Sequence, residues 1–403
     1  MWSQPYRYKI NESSFAHYWN EGVGVELLQK LGYVPDIAIA EKLIPFLYEW
    51  DRHGDQLVLD LHDKKGFVQG NNSLTSYLNH EQLPSEEKLI WDEFFAKIDI
   101  VPNWLDLEKL KFGAELSRRA GLSALIVLRD YCLMGGYESA AINKPLIYTG
   151  ALKKGAVKRL NDTVNFWVNI TKEGGLKQNS EGFRQIFLTR CIHSYSRINI
   201  LKRTDWDSNK WGIPLNTWDM LATNLGFSLV FLVGLRKIGI QPSSKEVDGL
   251  FHFWKYVGYL LGIPLALLPE NENEAIEALY LWTMTQREGD EDSRSLADAL
   301  KEEPVLAHYP KNKLMRLMMR EVHLFYNNFL LGEYSCKLLG LSNTKIGRFG
   351  LVNIWKTRQN ERTIVDEETR LHSIHSGGEE QERVRMIYQE FNNSQSNPSS
   401  LKL

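Results

Sequence analysis

Three cysteines in 403 residues, Cys132, Cys191 and Cys336, are too few and too scattered for a disulfide framework or a structural zinc site. A basic excess is missing too: 48 Lys and Arg face 50 Asp and Glu, for a net charge of −2 and a pI near 6.6. Phosphate backbones demand a clear positive excess, so nucleic acid is excluded as the main partner. The N-terminus, Met1 to Lys9, lacks a basic region followed by an apolar one, and no signal peptide is expected. The most apolar stretches, Leu221–Leu235 and Gly258–Leu268, fall short of the roughly 20 residues that a bilayer-crossing helix needs. Both read as buried core helices, so the expectations are no membrane span and a cytoplasmic location. No run of alternating strand pattern and no internal repeat occurs, which makes the expected fold class all-α.

Familiar catalytic signatures are absent as well. Without His-Glu-x-x-His there is no zincin-type site, and without Glu-x-x-His no di-iron carboxylate bundle. Cys-x-x-Cys-His for covalent heme, the Gly-x-Ser-x-Gly elbow and the P-loop are missing.

What the chain does have is apolar and aromatic mass. A hydrophobic fraction of 43%, with 12 Trp and 17 Tyr, can bury a large core and suits one built around a flat apolar group. Residues 1–50 read as an N-terminal helical extension, 51–341 as the main helical domain, and 342–403 as a polar tail, flexible over much of 376–403. Asp51 to Leu57 reads as a polar turn and Gly66 to Asn72 as a loop. Ala120 to Met134 is an apolar helix ended by Gly135-Gly136, and Ser243 with Glu246 predicts a capping box.

The chemistry concentrates on a helix predicted over Glu181 to Ile200. Arg190, His193 and Arg197 are spaced three and four apart, so they share one side of it. An imidazole between two guanidiniums on an apolar segment is costly to bury unless something anionic or metallic meets it. A heme meets both needs, with iron for the imidazole and propionates for an arginine. A second helix, Leu152 to Thr171, places Arg159, Asp162, Thr163, Phe166 and Trp167 on one face. On their own, those residues describe a core face with a surface Arg–Asp pair. His252 and His323 read as satisfied helix histidines, with His252, beside Trp254, as a fallback ligand.

These motifs resemble the DUF2236 family, which includes the latex-clearing rubber oxygenases and the fungal oxygenases that cleave a farnesyl chain in mycophenolic acid biosynthesis. The resemblance runs from about Asp51 to Leu341. It is carried by Tyr137 and Tyr148-Thr-Gly-Ala-Leu152, then Arg159-Leu-x-x-Thr163. Arg190-x-x-His193-x-x-x-Arg197, Trp211-Gly-Ile-Pro-Leu-Asn216, Gly234-Leu-Arg236-x-x-Gly239 and His252-Phe-Trp254-Lys-x-x-Gly258 complete it.

The resemblance implies a globin-like helical core with additional surrounding helices, holding a non-covalent heme b whose iron reacts with dioxygen. It assigns His193 as the iron ligand, with Arg190 and Arg197 as supporting residues. Arg159, Asp162 and Thr163 become the distal residues that tune bound oxygen. In the family's Arg-x-x-Lys-Thr pattern the lysine can cap the iron; here Asp162 stands at that position, so no lysine-capped state is expected. Glu138 is the nearest counterpart of an acidic residue upstream of the distal helix. The implied function is a heme-dependent oxygenase acting on a C=C bond of a lipophilic, possibly isoprenoid, small molecule. Two other readings stay open: a heme-binding sensor or carrier without turnover, and a heme-free all-α module in which Arg190 and Arg197 pair with acidic side chains.

Overall fold

A computed structural model describes residues 4–150, 155–307 and 309–396. Among them the expected all-α class holds: no strand forms, and only isolated bridges join Tyr8 to Gln286 and Ser139 to Glu288. The elements that build the site and its supports are α1 (Arg52–Lys65), α2 (Leu107–Arg119), α3 (residues 121–136), α4 (Ala140–Tyr148) and α5 (Ala156–Thr171). They are followed by α6 (Glu181–Arg203), α7 (Thr217–Ile238), α8 (Ser244–Leu260), α9 (Glu291–Leu306) and α10 (Lys313–Leu331). The chain closes with α11 (Gly350–Thr363) and α12 (Glu367–Ser396).

The tightest crossing joins α2 to α8. A Cβ on Gly113 would lie 2.3 Å from the Gly249 carbonyl oxygen, and one on Gly249 would lie 2.7 Å from the Gly113 nitrogen. Only glycine at both positions lets the backbones approach this closely. The start of α8 is set as the sequence predicts: Ser243 and Glu246 form a reciprocal capping box. Against this pair packs α7, interrupted by a π-helical turn over Gly226–Val230. At 22 residues α7 is longer than its apolar stretch suggests, and it is long and apolar enough to cross a membrane by length and composition. Two-thirds of its most apolar window is buried inside the protein, as 67%. Its Phe227 stacks on Trp254 at 4.8 Å, and Trp254 on Trp167 of α5 at 5.6 Å.

A second π turn, Leu128–Leu133, lies within α3. This stretch is less apolar than its surroundings suggest, for Arg129 and Asp130 are both buried there. Arg129 donates to Asp130 at 2.5 Å, to the Leu300 carbonyl at 2.6 Å and to Glu303 at 3.2 Å. His323 Nδ1 on α10 lies 2.6 Å from Asp130, so the network staples α3 to α9 and α10 and satisfies that histidine.

Three local expectations fail. The Asp51–Leu57 turn is the start of α1, and the Gly66–Asn72 loop lies mostly within a helix, Phe67–Leu78. Local polarity misled here, because packing on a neighbour supplies most helix stability. The polar tail is helical through α12, which packs on α2, α3 and α5. Ile374 is buried on it, and the buried Gln381 amide donates to the carbonyls of Ser117 at 2.8 Å and Gly121 at 3.1 Å. The first fifty residues join the main core: Arg7 forms a buried pair with Asp219, and Trp19 donates to Thr283 at 2.8 Å.

Candidate active site

Helix α6 begins at Ser180, whose hydroxyl accepts the Phe183 N–H at 3.1 Å. Its buried stripe runs through Phe183, Ile186, Phe187, Arg190, Ser194 and Arg197, the 3.6-residue period of a helix pressed into a core. The two arginines lie within this stripe. Arg190 grips Asp51 with two hydrogen bonds, 2.6 Å from Nε and 2.8 Å from Nη2, and donates from Nη1 to the Leu260 carbonyl at 3.0 Å. Arg197 pairs with Asp55 and donates to the carbonyls of Pro214 at 3.2 Å and Leu215 at 3.3 Å.

The anionic partner these guanidiniums require is therefore the N-terminal turn of α1. Neither offers a free face to a propionate. Burial raises the Asp51 carboxyl, but Arg190 and the Gly54 N–H overcome it and hold it below its usual range. At Asp55 burial prevails over Arg197 and Ser194, and the carboxyl is raised. Two glycines make the contact fit. A Cβ on Gly54 would meet Asp51 Oδ2 at 2.3 Å and Ser194 Oγ at 2.7 Å. Gly262, at φ +90°, would collide with Asp51 at 2.8 Å and with Arg190 Nε at 3.0 Å.

His193 sits at the edge of the stripe, half-buried. Its Nδ1 is buried and has no hydrogen-bond partner. Burial, reinforced by the charge of Arg197 and opposed by Asp51, pushes the imidazole down to about 4. It is neutral at pH 7. A neutral imidazole with an unsatisfied buried nitrogen fits an iron ligand and is otherwise a cost to the fold. Among the described residues no cluster of His, Cys, Asp and Glu could hold a bare metal ion.

Helix α5 packs directly against α6. Its buried stripe is Val157, Leu160, Val164, Trp167 and Val168. Trp167 thus belongs to the core and not to the face that sequence spacing assigns it. Arg159, Thr163 and Phe166 are half-buried along the other edge. Arg159 Nη1 donates to the Tyr137 hydroxyl at 2.8 Å, with its guanidinium 5.6 Å from that ring's centre. Both line a narrow crevice whose other walls include Leu133, Leu160, Leu296 and Leu300. Thr163 Oγ1 donates to the Arg159 carbonyl at 2.9 Å. Asp162 is exposed, and its carboxylate accepts from Lys158 Nζ at 2.6 Å, one turn back. Residues 151–154, just before α5 and within the Tyr148–Leu152 motif, lie outside the described residues.

The remaining candidates separate from this cluster. Glu138 accepts from Ser335 Oγ at 2.9 Å, and burial pushes its carboxyl up to about 7. His252 Nε2 accepts the Asp106 N–H at 2.9 Å and is thereby satisfied. His53 is stacked on Phe94 at 4.4 Å, with Nε2 2.9 Å from the Phe94 carbonyl. Sequence reasoning missed Asp51 and Asp55 as the partners of the arginines. Their spacing of four on a helix start was the available signal, obscured by reading that segment as a turn.

Two buried arginines thus clamp the helix that carries His193 onto the start of α1, and α5, which carries Arg159, packs against that helix. Residues 118–353 match the model described as ER-bound oxygenase mpaB/B'/Rubber oxygenase, catalytic domain. The chain belongs to that family and is an oxygenase-family enzyme. Its fold is similar to that in a structure titled "Structure of Latex Clearing Protein LCP in the closed state", with a TM-score of 0.58 at 15% identity, over 83% of this chain and 91% of that one. No curated protein matches the chain. Asp51 and Asp55 precede the matched segment, so the clamp's acidic half is contributed from outside it.

Proposed function

We propose that this protein is a heme b-dependent oxygenase that uses dioxygen to oxidise a C=C bond of a lipophilic, possibly isoprenoid, substrate. The observation that carries the reading is the buried Nδ1 of His193, left without a partner at the centre of a long helix. Heme on that imidazole would supply the iron that binds dioxygen. His193 is kept neutral by burial and by Arg197, so no proton needs to leave before it ligates. Arg190 and Arg197 act as positioning residues: through Asp51 and Asp55 they lock α6 onto α1 and hold the imidazole in place. Arg159, Asp162 and Thr163 form the less buried edge of α5 and are the candidate distal residues. Arg159 is held by Tyr137 beside apolar neighbours, where it would orient a polar or charged oxygen species.

A second reading is favoured by one observation. Asp51 and Asp55 satisfy both arginines within the chain, as a heme-free helical module would require. Absorption spectra of the purified protein, expressed with a heme precursor and compared with His193→Ala, separate the two. A Soret band with stoichiometric heme, lost in the variant, is expected. Its absence after reconstitution with hemin, or its full retention in His193→Ala, would overturn the assignment. Oxygen consumption with a panel of unsaturated lipids then distinguishes an oxygenase from a carrier.

A further inference from the structure

The 3-10 turn Ile346–Phe349 packs on α10 and leads directly into α11, so these three elements are neighbours. Their exposed surface follows from helix phase. On α10, Leu314, Met315 and Met318 lie on the same side as Glu321 and Phe325. The 3-10 turn covers the C-terminal part of that side: a Cβ on Gly347 would lie 2.0 Å from the Glu321 carbonyl oxygen and 2.9 Å from Phe325. The N-terminal part stays uncovered, with Leu314 65% exposed. Helix α11 turns Gly350 and Ile354 inward, and Asn353 donates to Tyr326 at 3.0 Å. That leaves Leu351, Val352 and Trp355 outward beside Phe349, which is 66% exposed, while Trp355 is 60% exposed. Scattered exposed apolar residues are ordinary, but a contiguous group of this size marks an interaction surface.

The charges around it identify the partner. Between Glu333 and Glu361 the chain carries Lys337, Lys345, Arg348, Lys356 and Arg358 and no carboxylate. Residues 311–320 likewise hold Lys311, Lys313, Arg316 and Arg320 without an acid. The neighbouring acids are spent elsewhere: Glu321 on Thr344 and Arg320, Glu302 on Arg320, and Glu361 on Arg119. Among the described residues, Lys313, Lys345, Arg348 and Lys356 form no ion pair. A protein of net charge −2 thus presents one face where bulky apolar groups are ringed by unneutralised cations. A protein partner would need its own apolar patch. A bilayer interface supplies both an acyl layer for Trp, Phe and Leu and phosphates for Lys and Arg. We propose that this face docks the protein peripherally on an anionic phospholipid membrane, with Phe349 and Trp355 inserted and Lys345, Arg348 and Lys356 on the headgroups. The proposal does not depend on the heme assignment, because binding is read without turnover.

The test is co-sedimentation of the full chain with vesicles of phosphatidylcholine alone and of phosphatidylcholine with phosphatidylserine. Binding to the mixed vesicles is expected, weaker on the neutral ones and reduced by salt. Each of Lys345→Glu, Arg348→Glu and Lys356→Glu is expected to weaken it about fivefold or more. Phe349→Ala with Trp355→Ala should abolish it, and Lys42→Glu, on another exposed surface, should not change it. Circular dichroism establishes that each variant is folded. Absence of binding by the folded wild type, or binding unaffected by these substitutions, overturns the proposal. So does a concentration-dependent dimer that Phe349→Ala with Trp355→Ala converts to monomer, which would assign the face to a second copy of the chain.

Discussion

Arg190 and Asp51, 139 residues apart, meet through two parallel hydrogen bonds of 2.6 and 2.8 Å, almost out of contact with water. This bidentate pair fixes the rotation of α6 against α1, and thereby where His193 points. Removing one member strands a buried charge, which typically costs about 3–5 kcal/mol. Asp51→Ala is therefore expected to lose that much in urea unfolding and to retain heme poorly. Asp55→Ala should act in the same direction.

The two polar residues at the edge of α5 should respond differently. Asp162 makes an exposed pair with Lys158, of a kind worth at most about 1 kcal/mol. Asp162→Asn should leave the unfolding midpoint nearly unchanged while lowering oxygen consumption. Unchanged turnover would remove Asp162 from the distal set. Tyr137→Phe withdraws the acceptor that holds Arg159. It should cut turnover about tenfold, at a stability cost of roughly 1 kcal/mol.

Glu138 gives a pH dependence whose sign follows from its environment. Burial raises its carboxyl from 4.5 to about 7, against the partial opposition of Ser335. Between those values the folded protein holds a proton that the unfolded chain has released. The stabilising contribution is complete below pH 4.5 and is lost as pH rises through 7. Glu138→Gln, which keeps an acceptor for Ser335, should flatten that slope in urea titrations and raise stability at pH 8 by up to roughly 3 kcal/mol.

The crossing of α2 and α8 leaves no room for a methyl group at Gly249, where a Cβ would lie 2.7 Å from both the Gly113 nitrogen and the Lys109 carbonyl oxygen. Backbone atoms cannot rotate aside as side chains do. Gly249→Ala is expected to cost about 1–3 kcal/mol by thermal unfolding, despite its better helix propensity.

Much was legible in the order of residues because it depends on near neighbours. Helical periodicity fixes the all-α class, Ser243 and Glu246 define a helix start, and the spacing of Arg190, His193 and Arg197 places them on one helix side. Spacing cannot say what those side chains meet. Asp51 and Asp55 looked like parts of a turn because their value as partners depends on residues more than a hundred positions away. Trp167, which spacing placed on one face with Arg159 and Thr163, belongs to the core because it packs on Phe227 and Trp254. The polar tail became α12 for the same reason: a few buried groups, among them Ile374 and Gln381, suffice to anchor a helix once α2 and α3 offer a surface. Local hydrogen bonding and periodicity are written along the chain. The pairing of buried charges and the choice of which face is covered are decided only when distant segments compete for the same space.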